Sequence, residues 1–258
     1  MTANAAVAIA HANIALSKYW GKREGSGNYP AVPSLSVTLA GLATRTRVTF
    51  DGAAENDAFT LDGQVAAPAA RARVVEMLDR VRRATGETRR ARVESSNDFP
   101  TASGLASSAS GFAALAVAAA RAAGLDWDAA RLSDLARQSS ASAARSLFGG
   151  FVELPAGPPM PDGSETLSAR PVAPPGHLPL VVFVCVTTEG PKALGSSEGM
   201  RKTMAESPFA RAWLDEAPRL HARLRGALLA SDFLELGELA EASAFAMHAS
   251  ALAAGVVY

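Results

Sequence analysis

Four short stretches carry the residue types that work on phosphates would need. The first is Phe99-Pro-Thr-Ala-Ser-Gly-Leu-Ala-Ser-Ser-Ala-Ser-Gly-Phe112, which follows a strand pattern and opens a helix pattern. Pro100 and Gly104 shape a turn, and Ser107, Ser108 and Ser110 place hydroxyls at the helix entrance. Free backbone N–H groups and the positive dipole end at such an entrance bind anions. Glycine lets backbone come close to a ligand. A capped helix needs one hydroxyl, whereas this run has several hydroxyls and two glycines, which favours phosphate. It is not a Walker loop, because no Lys-Ser/Thr pair follows the second glycine.

The second stretch, Asn13-Ile-Ala-Leu-Ser-Lys-Tyr-Trp-Gly-Lys-Arg23, interleaves Lys18, Lys22 and Arg23 with Tyr19 and Trp20. Beside an anion-binding helix it reads as a polyphosphate clamp with Tyr19 as a hydroxyl donor. Alone, it reads as a surface strand whose lysines snorkel. In the third, Ser139-Ser-Ala-Ser-Ala-Ala-Arg-Ser-Leu-Phe-Gly-Gly150, Ser142 and Arg145 lie one helical turn apart and can face one ligand. Arg145 can fork onto a carboxylate or phosphate, or cap a helix C-terminus before Gly149 and Gly150. The fourth, Thr187-Thr-Glu-Gly-Pro-Lys-Ala-Leu-Gly-Ser-Ser-Glu-Gly199, is a polar loop after an apolar run. Lys192 and Ser196 could reach phosphate there, and a helix cap at Ser196 or Ser197 explains the serines nearly as well.

The elements that must position these stretches begin strand-rich. Residues 7–14 and 35–39 read as extended, and Thr44-Arg-Thr-Arg-Val-Thr-Phe50 alternates as a half-buried strand does. Asp51-Gly52 and Asp62-Gly63 are hairpin-type turns flanking a strand at 59–61. Val74, Val75, Leu78 and Val81 mark a helix over 69–85 that Gly86 stops, and a strand follows at 90–95. An alanine-rich helix at 111–123 ends at Gly124, a second helix covers 128–139, and 149–154 is a strand. Pro/Gly clusters at 155–163 and 171–179 are loops, and the apolar run 180–186 with Cys185 is expected to be a buried strand. Helices are expected at 197–205, 208–230 and 232–253. The second Pro/Gly cluster sets the expected boundary, with an N-terminal domain at 1–176 and a C-terminal α+β domain at 177–258. Apolar residues resume at Gly255-Val-Val-Tyr258 as though a strand were starting, so the C-terminal domain is expected to be incomplete.

Composition narrows the class. The 258 residues carry 25 Lys+Arg against 25 Asp+Glu and are 48% hydrophobic, which is too apolar for a disordered chain. Balanced charge argues against a nucleic-acid partner. The arginine-rich stretch 71–92 also holds Glu76, Asp79 and Glu87 and reads as a solvated helix face. One cysteine excludes an internal disulfide framework, and His11, His177, His221 and His248 have no zinc spacing. The N-terminal Met1-Thr-Ala-Asn-Ala-Ala has no signal-peptide pattern, and no apolar stretch is long enough to span a membrane. A cytoplasmic protein with no membrane partner is expected.

Taken together, the segments at 13–23, 34–39, 97–115 and 142–153 resemble the diphosphomevalonate decarboxylase family. That family belongs to the GHMP kinase superfamily, with galactokinase, homoserine kinase, mevalonate kinase and phosphomevalonate kinase. Ile14-Ala-Leu-Ser-Lys-Tyr-Trp-Gly-Lys22 is similar to the family's own signature, and 100–110 to the superfamily's phosphate loop. The likeness is colinear from about residue 8 to the end.

The resemblance implies an α+β, GHMP-kinase-like two-domain fold and a two-stage reaction. ATP with Mg²⁺ phosphorylates the tertiary 3-hydroxyl of mevalonate 5-diphosphate; phosphate and carbon dioxide then leave, giving isopentenyl diphosphate. The resemblance places ATP phosphates on the loop containing Ala102, Ser103, Gly104, Leu105, Ala106, Ser107 and Ser108, with Ser107 on the metal. It places the substrate diphosphate on Lys18, Tyr19, Lys22 and Arg23, and the substrate itself on Ser140, Ser142 and Arg145, with Arg145 facing its carboxylate. Lys18 and Arg145 are the implied catalytic residues, and Lys192 and Ser196 a second phosphate loop. A homodimer is expected. Two departures stand out. Ser139 and Ala141 occupy positions that the family usually fills with glycine. The family's catalytic aspartate lies in an Asp-Ala-Gly-Pro segment, and these 258 residues contain none. Alternatives are a phosphomevalonate decarboxylase, a mevalonate 3-kinase-type enzyme, or an inactive remnant that binds phosphorylated ligands.

Overall fold

Thr44, Thr46, Val48 and Phe50 are buried while Arg45 and Arg47 face out, so the alternation read in the sequence is a strand face over a core. The computed structural model describes residues 4–25, 27–99, 107–159, 162, 165–185 and 194–257. The chain forms two units: Met1–Asn13 with Leu39–Leu147, and Ile14–Thr38 with Phe148–Tyr258. Two long strands, β1 (Asn4–Ser17) and β2 (Ser34–Asp51), pair with each other, and each contributes residues to both units.

In the first unit the order is β4-β3-β5-β2, with β3 at Ala58–Leu61, β4 at Gln64–Val65 and β5 at Arg90–Asn97. Asp62 and Gly63 both take positive φ (51° and 76°) and close the β3–β4 hairpin, as the Asp-Gly pair predicts. Asp51-Gly52 does not make a second hairpin. β5 lies between β2 and β3, antiparallel to the first and parallel to the second, so the turn starts a crossover. The strands expected at 35–39 and 44–50 are one continuous β2.

α1 (Pro68–Thr85) ends on Gly86, whose φ of 73° is the left-handed cap that glycine accepts without strain. Its Val74, Met77, Leu78 and Val81 are buried against Val48, Phe50 and Val93 of the sheet. Arg82 departs from the solvated face read for this stretch. It is 9% exposed and donates to Asp57 at 3.0 Å and Asp79 at 2.8 Å, because the buried Asp57 carboxylate needs a charged partner. α2 (Ser107–Ala122) is buried on nearly every side, as its alanine content allows, and starts before the position read from the apolar run. α3 (Ala129–Ser139) is capped by Asp128, and a 3-10 helix follows at Ala141–Leu147.

In the second unit Ser34–Val37 of β2 pairs with β6 (Phe151–Leu154), and β6 pairs with β7 (Arg170–Ala173). β7 uses the first residues of the second Pro/Gly cluster, which the sequence reading assigned to a loop. α4 (Ser196–Glu206), α5 (Ala210–Leu229) and α6 (Phe233–Leu252) complete the unit. Trp20, Val32, Trp213, Met247 and Ala251 form its core, and Trp213 Nε1 donates to the Trp20 carbonyl at 2.8 Å.

Residues 180–185 overturn the expected buried strand. They have no regular structure, Val181 and Phe183 are more than four-fifths exposed, and Cys185 is exposed. Apolar β-formers make a strand only when a neighbour takes up their N–H and C=O groups, and among the described residues none pairs with them. No helix among the described residues is long and apolar enough to cross a membrane.

Candidate active site

The first unit holds a cavity of about 180 Å³ beside the entrance of α2. Phe59, Val93, Phe112 and Leu115 give it an apolar floor, and Ser95, Asn97, Ser107 and Ser108 add polar groups. Ser107 and Ser108 therefore sit where the sequence places phosphate-facing hydroxyls. Ser110 does not: it is fully buried, and its Oγ lies 2.7 Å from Thr44 Oγ1. Ala102, Ser103, Gly104, Leu105 and Ala106 lie outside the described residues, as does Lys192.

The cavity adds residues that the sequence reading passed over. Arg73 lines it and stacks on Phe112, with the guanidinium carbon 4.5 Å from the ring centroid. Burial pulls the Arg73 guanidinium below its ordinary value, against the opposing charge of Glu76. The signal for it was its place in α1 next to Val74, at the edge of the apolar stripe.

Ser140 ends α3, and its Oγ lies 3.1 Å from Ser142 Oγ. Ser142 and Arg145 stand three apart in a 3-10 helix, where such residues eclipse one another, so they share a face more closely than an α-helix would allow. Arg145 is 2% exposed and lies in the last turn of that helix, so the helix-end reading stands beside the ligand-facing one. Asn13 gathers the block: its Nδ2 donates to Ser142 O at 3.1 Å and Ser146 Oγ at 2.8 Å, and its Oδ1 accepts from Arg145 Nη2 at 3.3 Å.

In the second unit, Lys18 leaves β1 with its backbone N–H on Ser243 Oγ at 2.9 Å and its Nζ on the Ala15 carbonyl at 2.9 Å. Lys22 Nζ donates to Asn28 Oδ1 and Ser197 Oγ, both at 2.7 Å. These ammonium groups are held by the protein rather than snorkelling. The Lys22 bond brings the clamp to the first turn of α4, which Ser196 opens. Gly195 is the N-cap and no side chain caps that helix, so the serine-cap reading fails. Tyr19 is half-buried between Lys18 and Trp20. Arg23 Nε is buried with no hydrogen-bond partner among the described residues, which suits an anionic ligand.

Two carboxylates of the 97–115 and 142–153 segments, Asp98 and Glu153, are already engaged. Asp98 Oδ1 accepts from the Ala43 N–H at 2.6 Å. Glu153 is 5% exposed and contacts His221, Arg170 and Arg225. The hydrogen bond from His221, followed by that from Arg170, outweighs burial and holds the Glu153 carboxyl at about 2. A carboxyl so acidic is a poor general base. Among the described residues no three His, Cys, Asp or Glu side chains gather as a metal site. Mg²⁺ commonly takes one or two protein ligands plus substrate phosphates, so the Ser107 hydroxyl at this cavity is compatible with it.

The comparisons agree along the chain. The model of the diphosphomevalonate decarboxylase-like N-terminal domain matches residues 10–166, and that of the mevalonate 5-diphosphate decarboxylase C-terminal domain matches 182–255. The diphosphomevalonate decarboxylase of Candida albicans is 37% identical over 256 residues, covering 93% of this chain and 70% of its own length. The human diphosphomevalonate decarboxylase is 37% identical over 265 residues, covering 96% of this chain and 65% of its own length. The chain thus spans about two thirds of these curated relatives. The crystal structure of mevalonate diphosphate decarboxylase from Staphylococcus aureus superposes with a TM-score of 0.87 at 36% identity, covering 96% of this chain and 74% of that one. The structure described as MDDEF in complex with MVAPP, AMPPCP and magnesium gives 0.86 at 38%, covering 96% and 75%.

Proposed function

Because the chain belongs to the diphosphomevalonate decarboxylase family, we propose that it serves ATP-dependent decarboxylation of mevalonate 5-diphosphate to isopentenyl diphosphate. The α+β fold of the GHMP-kinase type is shared with the solved decarboxylases. We draw the domain boundary at 176/177, between the two family matches, which leaves β6 and β7 of the second unit on its N-terminal side.

The observation that carries the reading is the cavity at the α2 entrance. Its apolar floor suits a nucleotide base, and Ser107 and Ser108 border the helix end that attracts phosphate. Asn97 and Ser95 on its wall supply polar contacts to such a base. MgATP supplies the phosphoryl group that converts the tertiary hydroxyl into a leaving group. Ser107 would sit on the metal, and Ala102 to Ala106 would complete the loop around the phosphates.

Lys18, Tyr19, Lys22 and Arg23 grip the substrate diphosphate in this reading, and Lys192 and Ser196 add a second phosphate contact. Ser140, Ser142 and Arg145 hold the mevalonate carbons, with Arg145 forked on the carboxylate. When the bond from C2 to the carboxyl carbon breaks, its electrons form the C2–C3 double bond and expel phosphate from C3. Arg145 orients the carboxylate for that departure, and the cationic clamp keeps the diphosphate fixed.

A cytoplasmic homodimer is the proposed state, with exposed Phe233, Leu234 and Phe245 on α6 offering apolar surface to a second copy. Light scattering after size exclusion tests it. The function is tested by calorimetry of this chain with MgATP and with mevalonate 5-diphosphate. Binding of both supports the reading, and binding of neither by the folded chain overturns it.

A further inference from the structure

Ser17 closes β1 one residue before Lys18, and its Oγ lies 2.9 Å from His221 Nδ1 on α5. The Leu35 N–H at the start of β2 donates to the same oxygen at 2.8 Å. Across the ring, His221 Nε2 is 3.0 Å from Glu153 Oε1. Glu153 Oε2 accepts from Arg170 Nε at 3.1 Å and lies 3.6 Å from Arg225 Nε. Ser17, His221 and Glu153 are 1%, 5% and 5% exposed. One residue on, Ser243 of α6 takes the Lys18 N–H.

A serine, a histidine and a carboxylate in series suggest a nucleophile. Access rules that out: Ser17 is buried, and its oxygen is occupied by Leu35. Packing alone is also a weak account, since a buried charged network is often no more stable than an apolar one of equal volume. The wiring has a direction, however. An ionised carboxylate only accepts, so Nε2 carries the ring hydrogen; in the neutral ring Nδ1 then accepts, and the Ser17 hydroxyl donates to it. The chain of bonds ends on the backbone just before Lys18.

We infer that His221, acting through Ser17, together with Ser243, are positioning residues that set where the 18–23 segment presents its cations. The inference rests on the proposed role of that segment in gripping the substrate diphosphate. Neither histidine nor serine touches substrate in this account; they fix the backbone from which Lys18 and Tyr19 project.

Two substitutions separate the halves of the ring. The amide of His221→Asn lies near the Nδ1 position and keeps Ser17 while releasing Glu153. The amide of His221→Gln lies near Nε2 and keeps Glu153 while releasing Ser17. With Ser17→Ala as a third variant, the measurements are affinity for mevalonate 5-diphosphate, affinity for MgATP, melting temperature, and hydrogen exchange at the Lys18 and Tyr19 amides. His221→Gln and Ser17→Ala are expected to lose about tenfold in mevalonate diphosphate affinity and to exchange faster at Lys18. His221→Asn is expected to bind nearly as wild type despite a lower melting temperature, because Glu153 Oε1 loses its donor while Oε2 keeps Arg170. MgATP affinity stays level in all three. Affinity that follows melting temperature, with His221→Asn the weakest, overturns the inference, as does unchanged exchange in all variants. If the wild-type chain does not bind mevalonate diphosphate, the functional reading falls, and the exchange pattern alone decides the positioning claim.

Discussion

Arg145 Nη2 donates to Asn13 Oδ1 across 3.3 Å inside the first unit, joining residues 132 apart in sequence. Asn13 Nδ2 is itself tied to Ser142 and Ser146, so the guanidinium donates to a side chain whose amide hydrogens are already committed. A carboxylate-binding arginine works best when its fork is held in advance.

Arg145→Lys keeps the charge and loses the fork. It is expected to weaken mevalonate diphosphate binding by at least about tenfold, the loss of a charged hydrogen bond of about 1.5–3 kcal/mol, with MgATP affinity unchanged. Calorimetry with each ligand separately checks this. Equal weakening of both would mean that the arginine supports the fold instead.

The serines at the α2 entrance should divide by function. Ser107→Ala is expected to lower MgATP affinity at constant melting temperature. Ser110→Ala should do the reverse, since it removes the buried hydrogen bond to Thr44 Oγ1, which keeps Asn97 as its acceptor, and costs about 0.5–1.5 kcal/mol. Titration and thermal melts on the two variants decide, and an unaltered nucleotide affinity in Ser107→Ala would remove that hydroxyl from the site.

Glu153 predicts an acid-side stability change. Its folded value of about 2 lies below the ordinary 4.5, so between those values the unfolded chain takes up the proton more readily. The stabilisation is complete above about pH 4.5 and disappears as pH falls toward 2. Near neutral pH, Glu153→Gln is expected to cost about 2–3 kcal/mol, and denaturant titrations should show the gap to wild type closing across that window. A gap independent of pH would exclude the charge as its cause.

Turnover is predicted to be near zero for these 258 residues, with ligand binding expected to remain. Asp98 and Glu153, the carboxylates of the 97–115 and 142–153 segments, are spent on Ala43 and on His221 with Arg170. Phosphate release from ATP with mevalonate diphosphate measures it. A rate within the range of ordinary enzymes, about 1–10³ per second, would show that a base other than the family's aspartate operates here.

Much of the scaffold was legible because it depends on local rules. The helix stop at Gly86 and the Asp62-Gly63 hairpin each follow from backbone preferences within a few residues. Strand partners are set by tertiary contacts instead, so the insertion of β5 between β2 and β3 and the pairing of β7 with β6 were invisible. The site divided the same way. Ser107, Arg145 and Lys22 were candidates by type and spacing, whereas Asn13 looked like an ordinary motif residue until its three hydrogen-bond partners appeared. His221 was set aside as one of four scattered histidines, because nothing local ties it to Ser17, 204 residues away. Arg73 and Arg82 were read as solvated because sequence shows the charge and not the wall it leans on.

The pairing of Ser34–Val37 with Phe151–Leu154 also constrains the order of events on the ribosome. The 14–38 segment emerges early, yet the partners that complete its unit lie beyond residue 147. At about 5–20 residues per second, the intervening stretch takes on the order of ten seconds to synthesise. During that interval the nascent chain can complete the 39–147 region while the start of β2 has β1 beside it but lacks β6, its other native neighbour. Synonymous codons that slow translation between these two pairing segments would therefore lengthen the exposure of Leu35 and Val37, and chaperone dependence should rise with that delay.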